Sequence, residues 1–257
     1  MHIGLLITGD EQLSGKRQDR HLARVIELLA ARGMALGWAT LVGDDEARIA
    51  QIVATARAQG ELLFCCGGIG ATPDDRTRQA AARAFGVEIR RHPQAEALIT
   101  AEYGDQAQPY RVLMADLPAG AALIPNPVNR VAGFSLGDCH FVPGFPEMAW
   151  PMIEWVLDTR YSQLRNADPP VEYRLRAVGS AAESDLLPLM QDTLARHPQL
   201  ALSSLPSRGL PGQPRHIEFG FKGPRAVAAA AYRTFEAALR TQTQLTVQPL
   251  QPPGADA

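Results

Sequence analysis

The chain has 257 residues, 46% of them hydrophobic by type, and Lys+Arg 25 against Asp+Glu 27 leaves a net charge of -2. That length supports one large domain or two modest ones with a real core. There is no run of like charge and no basic stripe interleaved with aromatics, which argues against nucleic-acid binding; no apolar stretch approaches the roughly 18 residues of a membrane helix and no basic leader with a cleavage site opens the chain, which points to the cytoplasm.

Residues 2–9 read as a short apolar strand, and Leu22, Val25, Ile26 and Leu29 after it recur at helical spacing. A second strand is expected over 34–42, then a helix with Ile49, Ile52, Val53 and Ala56 on one face, then a third strand over 61–66. Strand and helix alternating at this length imply crossovers and a mostly parallel sheet. Helical spacing resumes over 77–85 and 93–103; short strands follow at 121–125 and 139–142, and a helix over 147–157 completes the unit.

Past Arg160 the pattern changes. Residues 161–170, with Asp168-Pro169-Pro170, read as a linker between a first domain of 1–160 and a second of 171–248. In the second, Val171, Tyr173, Leu175 and Ala177 alternate as in a half-buried strand, a helix is expected over 183–196, Leu200 and Leu202 open another strand, and Ile217, Phe219 and Phe221 alternate again. An alanine-rich helix over 225–240 and a last strand at Leu245 and Val247 complete the order βαββαβ, the ferredoxin-like α+β pattern. His197, His216, Lys222 and Arg225 are its only candidate ligand contacts, so it reads as an interaction, dimerisation or lid domain. Residues 249–257 are proline-rich and expected to be disordered. Cys65, Cys66 and Cys139 form no metal-binding spacing and read as small core residues, the first two on opposite faces of one strand.

The most informative stretch follows the third strand. Gly67, Gly68 and Gly70 can turn bare N–H groups toward a phosphate, whereas Asp74 and Asp75 just beyond would repel it. The conflict disappears if the ligand brings a metal, or has ring N–H or hydroxyl donors besides its phosphate. The same letters fit a helix start, with Thr72 as N-cap, Pro73 at N1, Asp75 at N3 and Asp74 favouring the helix dipole. In an open parallel sheet, ligands sit at the carboxyl ends of the strands. The turns Gly9-Asp10-Glu11, Gly43-Asp44-Asp45, Asn126-Pro127-Val128-Asn129 and Pro143-Gly144-Phe145-Pro146 would then gather with the glycine loop on one rim, placing Asp10, Asp44, Asp75 and Asn126 around one cleft. Taken singly they have ordinary roles, with Asp44 as a helix N-cap and Pro143-Gly144 as a turn.

Five motifs in this order resemble the MoaB/MogA-like molybdopterin-binding superfamily, and more closely the N-terminal part of the competence/damage-inducible CinA proteins. They are Thr8-Gly9-Asp10-Glu11 with Leu13-Ser14-Gly15; Val42-Gly43-Asp44-Asp45; Gly67-Gly68-Ile69-Gly70 with Thr72, Asp74, Asp75 and Thr77; Asn126-Pro127-Val128 with Gly133-Phe134; and Pro143-Gly144-Phe145-Pro146 with Met148. The resemblance covers about residues 1–157 and implies a three-layer α/β/α domain that assembles as a homo-oligomer, a dimer or trimer. It implies that Asp44 and Asp75 handle a molybdopterin or a bound Mg²⁺, that the loop from Gly67 to Thr72 receives a terminal phosphate, and that Asp10, Asp74, Thr77, Asn126, Pro143 and Gly144 also line the site. CinA-like relatives imply a second chemistry, divalent-metal-dependent hydrolysis of nucleotide pyrophosphates such as ADP-ribose or FAD; a third expectation is a non-catalytic regulatory or assembly module. Ala71 stands where these relatives usually have proline, Asn129 where they have glycine and Ala132 where they have proline, and the segment Pro146-Glu147-Met148 is one residue shorter than usual. The sequence carries no counterpart of the CinA amidohydrolase domain, so that activity is not expected.

Overall fold

In the computed structural model, which describes residues 1–209 and 214–254, the chain divides into two units, Met1–Ala167 and Asp168–Ala257. The first opens with β1 (Ile3–Thr8), whose residues are all buried because both faces of the strand are covered. A short α1 (Asp10–Leu13), α2 (His21–Ala30), β2 (Trp38–Val42), α3 (Glu46–Ala58) and β3 (Leu62–Cys66) follow. β2 is shorter than the expected 34–42, because the chain leaving α2 stays wrapped on the helix end, with Met34 N–H bonded to Leu29 O, and joins β1 only through Gly37 N–H to Ile3 O. Next come α4 (Thr77–Phe85), β4 (Ile89–Arg91), α5 (Pro93–Tyr103), β5 (Asp116–Pro118), β6 (Ala122–Ile124), β7 (Gly133–Leu136), β8 (Cys139–Val142) and α6 (Pro146–Arg160).

Six strands form one sheet in the order β2-β1-β3-β8-β7-β6. β2, β1, β3 and β8 are parallel, β7 runs antiparallel to β8, and β6 antiparallel to β7, so β6 ends on the same side as the parallel strands. β7 and the separate β4–β5 ribbon were not expected from the sequence.

Alternate residues of the central strands feed opposite layers. Leu6, Val42, Leu63, Cys65 and Phe141 pack with Ile49 and Val53 of α3 and Ala80 and Ala81 of α4. Leu5, Ile7, Leu62, Phe64, Cys66 and Val142 pack with Val25, Leu28 and Leu29 of α2 and Met152, Ile153 and Val156 of α6. The result is an α/β/α sandwich, each large buried side chain adding about 2 kcal/mol of apolar burial. Cys65 and Cys66 face opposite layers as expected, and Cys65, Cys66 and Cys139 are free and buried.

Behind the sheet, a hydrogen-bonded chain joins β7, β8 and α6. His140 Nδ1 lies 2.8 Å from Ser135 Oγ, His140 Nε2 lies 2.8 Å from Tyr161 Oη, and Tyr161 Oη donates to Asp138 at 2.7 Å. The composition is that of a hydrolytic triad, yet Ser135 and His140 are both buried, and burial pushes the His140 imidazole down to about 3.

The second unit comprises β9 (Val171–Gly179), α7 (Leu187–Arg196), β10 (Ala201–Ser207), β11 (His216–Gly223), α8 (Arg225–Arg240) and β12 (Leu245–Gln251), with the antiparallel sheet ordered β10-β11-β9-β12. Tyr173, Leu175, Ile217, Phe219 and Phe221 put one face of this sheet against Met190 of α7 and Ala228, Tyr232, Phe235 and Leu239 of α8. β12 stays paired with β9 out to Gln251, with Pro249 opposite Leu175 and Gln251 opposite Arg174, so residues 249–251 of the expected tail lie in the strand. Residues 255–257 lie outside the described residues. Among the described residues no helix is long and apolar enough to cross a membrane.

Candidate functional site

The carboxyl ends of β1, β2, β3, β8 and β6 meet around a cleft of ≈ 550 Å³ whose lining comes entirely from the first unit. Each of the five predicted turns contributes: Gly9 and Glu11, Asp44, Gly67 to Thr72 with Asp74 and Asp75, Asn126 and Asn129, and Pro143, Gly144 and Phe145.

The glycine loop forms the centre. Gly67 and Gly68 have φ of 112 and 68, and a Cβ on Gly68 would lie 2.3 Å from Thr77 Oγ1. Only glycine fits such a backbone at that spacing. Gly67 N–H is committed to Val142 O at 3.0 Å and Thr72 N–H to Asp75 Oδ2 at 2.8 Å. Among the described residues no hydrogen bond takes the N–H of Gly68, Ile69, Gly70 or Ala71. The available donors are thus these four, shifted from the expected set that began at Gly67 and ended at Thr72.

Arg78, which the sequence reading passed over, holds this loop from behind. Its guanidinium is buried and donates to Gly70 O at 2.6 Å, Leu113 O at 2.6 Å and Asp116 O at 2.8 Å. Burial lowers its pKa from the usual arginine value. By drawing the Gly70 carbonyl inward it ties the loop to the segment that carries Met114, another lining residue. An arginine three residues past a pair of aspartates reads in sequence as a surface charge, so nothing marked it.

The expected helix start at Thr72 is corrected. α4 begins at Thr77 with Arg76 in the N-cap position and no side-chain cap. The segment from Thr72 to Asp75 closes instead as a separate turn, with Asp75 N–H to Thr72 O at 3.0 Å and the Asp75 carboxylate accepting both the N–H and, at 2.5 Å, the hydroxyl of Thr72. A threonine and an aspartate three apart can satisfy one turn as readily as a helix end. Asp75 makes the carboxylate-to-Thr72 contact expected of it, in a turn and not at a helix end, and Asp74 and Asp75 both line the cleft.

Asp44 does not cap α3; Asp45 does, accepting Arg48 N–H at 3.0 Å. Asp44 is thereby released toward β1. Its Oδ2 accepts Asp10 N–H at 3.1 Å and Asp10 Oδ1 accepts Asp44 N–H at 3.2 Å. Partial burial raises the Asp44 pKa above its ordinary value, with Asp10, Glu11 and Asp74 adding repulsion and the Asp10 N–H opposing it. Asp10 sits behind Asp44 and is not part of the lining; Glu11 and Arg17 are, and neither was singled out from the sequence.

Thr77 is fully buried, its hydroxyl 3.5 Å from Thr8 Oγ1, and supports the loop from below. Asn126 lines the cleft but its amide is occupied: Nδ2 donates to Asn129 Oδ1 at 2.8 Å and Val131 O at 3.0 Å, and Oδ1 accepts Val128 N–H at 3.0 Å. Pro143 and Gly144 are in the wall; a Cβ on Gly144 would stand 3.3 Å from Gly67 Cα, and Gly144 O is 3.2 Å from Nε2 of buried His21. Among the described residues no group of three or more His, Cys, Asp and Glu is placed to hold a metal. His197, His216, Lys222 and Arg225 belong to the second unit, where His216 Nδ1 lies 3.0 Å from Pro214 O and Lys222 and Arg225 are exposed.

Comparison with known proteins places this geometry. The chain is 32% identical over 189 residues to a CinA-like protein of Syntrophotalea carbinolica, covering 70% of this chain and 45% of the relative, and 34% identical over 197 residues to a CinA-like protein of Citrifermentans bemidjiense, covering 73% and 47%. It thus spans about half the length of these relatives. Among solved structures, a CinA protein from Thermoplasma acidophilum superposes with a TM-score of 0.56 and 26% identity, over 62% of this chain and 98% of that one. Residues 4–163 match the family described as the probable molybdopterin binding domain, and with the glycine loop, the strand-end acids and the sandwich all lying inside that span, the chain belongs to this family.

Proposed function

We propose that the cleft binds a phosphate-bearing pterin of the molybdopterin class or a nucleotide, with the phosphate on the N–H groups from Gly68 to Ala71. The observation that supports this best is the glycine loop itself: four N–H groups without a partner among the described residues, at the end of a central parallel strand, on a loop whose Gly70 carbonyl is held by Arg78. Asp44 and Asp75 are the proposed contacts to ring N–H or hydroxyl groups, with Asp74 and Glu11 beside them. Calorimetry with molybdopterin and with AMP-containing nucleotides tests the reading, and binding of none of them removes it.

A second reading takes the same cleft as a divalent-metal-dependent pyrophosphatase on ADP-ribose or FAD. The specific observation is the charge gathered on Asp44, Asp10, Glu11 and Asp74, whose repulsion adds to burial in raising the Asp44 pKa. A Mg²⁺ bound by one or two of these carboxylates would take its remaining ligands from the substrate diphosphate and water, as that ion commonly does. Metal-requiring hydrolysis that disappears in Asp44→Asn favours it, and hydrolysis unchanged by that substitution excludes it. Asp44→Asn is the cleaner variant, since Asp75→Asn also disturbs the Thr72 turn. We further take the protein to be cytoplasmic and a homo-oligomer, the latter open to light scattering.

A further inference from the structure

Phe145 has an unusual place. It is a large apolar side chain left 50% exposed, and it lines the cleft beside the glycine loop. Its backbone is anchored through its own carbonyl and through Gly144. Phe145 O accepts Met148 N–H at 3.0 Å and Ala149 N–H at 2.8 Å at the start of α6, and its neighbour Gly144 is bound to His21 and packed on Gly67. A residue at that N-cap position usually supplies a polar cap, and this one supplies none. Met114, Val131 and Met148 share the lining, so the cleft has an apolar part as well as the N–H groups and carboxylates of its rim.

We propose that Phe145 is the platform on which the planar ring of the ligand stacks, with the two methionines and Val131 completing an apolar slot. This rests on the reading of the cleft as a phosphate site and narrows it. The ligand class becomes a flat heteroaromatic ring joined to a phosphate by a linker, since a phosphorylated sugar alone leaves Phe145 exposed to water. An exposed ring on a rigid backbone is pre-organised for stacking, and thioether sulfurs add polarizable contacts at ring edges.

The test measures binding of three probes, AMP, a pterin phosphate and ribose 5-phosphate, to the wild type and to Phe145→Ala, Phe145→Leu and Phe145→Trp. Stacking predicts that Ala and Leu weaken a ring-bearing probe by about tenfold or more, leave ribose 5-phosphate unchanged, and that Trp keeps ring binding and is quenched by it. Ring-bearing probes bound equally by wild type and Phe145→Ala overturn the platform while the phosphate site stands. Equal loss of all three probes also overturns it, since the change then acts on the phosphate end. No probe bound by the wild type removes the phosphate reading and the platform together.

Discussion

Asp10 and Asp44, 34 residues apart and at the ends of adjacent parallel strands, each accept the other's backbone N–H, at 3.1 and 3.2 Å. The exchange fixes the two turns to each other and leaves the Asp44 carboxylate, not Asp10, on the cleft wall.

Asp44→Asn should therefore keep the turn, since an amide oxygen can still accept Asp10 N–H, while removing charge from the cleft. Because the fold raises the Asp44 pKa above 3.8, the ionised form is the disfavoured one: wild-type stability from this group is present below pH 3.8 and lost as pH rises through the raised value. Denaturation from pH 3 to 7 should show the variant gaining on the wild type as pH rises, and calorimetry should show weaker ligand binding by about tenfold.

Gly68→Ala and Gly60→Ala form a matched pair. Their φ values are 68 and 65, but a Cβ on Gly68 meets Thr77 Oγ1 whereas one on Gly60 meets nothing within 4 Å. Gly60→Ala should lose only the backbone term of about 1 kcal/mol, and Gly68→Ala about 2 kcal/mol or more together with ligand binding. Equal losses in urea denaturation would contradict the tight approach of Thr77.

Arg78→Met leaves the carbonyls of Gly70, Leu113 and Asp116 without their buried donor. A loss of about 3 kcal/mol is expected, with faster amide hydrogen exchange concentrated in the glycine loop. Exchange that accelerates uniformly over the unit would mean that Arg78 stabilises the fold without positioning the loop.

His140 gives a pH signature of opposite sign to Asp44. Burial lowers its pKa from 6.5 to about 3, so the unfolded chain binds a proton that the folded one refuses. Its contribution is complete above pH 6.5 and lost as pH falls toward 3, at about 1.4 kcal/mol per pH unit. His140→Gln should flatten the stability curve between pH 6 and 4, as followed by chemical denaturation.

The parallel strands were legible because each is a short, nearly continuous apolar run ending in Gly, Asp or Asn, and their shared direction put five turns on one rim without any coordinates. β7 was not: Gly133-Phe134-Ser135-Leu136 is four residues opening on glycine, and its identity depends on pairing with β8, a contact no local pattern encodes. The acids were legible as a group, and Asp75 as the partner of Thr72, but the cap of α3 was assigned to Asp44. Asp44 and Asp45 are interchangeable as caps in a sequence, and the choice is settled by which carboxylate the turn carries toward Arg48. Arg78 was invisible because its partners are three main-chain carbonyls.

The contact of Gly144 with Gly67 has a consequence for how such a site can change over time. Where two loops meet main chain to main chain, no side chain stands between them; a Cβ on Gly144 would press on Gly67 Cα at 3.3 Å, and one on Gly67 would meet Thr8 O and Oγ1 at 2.6 and 2.7 Å. Larger residues at either position would have to move the loop that forms the centre of the cleft. Phe145 and Met114 line the cleft by their side chains and not by main chain, so changes there would alter what the cleft accepts while the main-chain anchor stays the same.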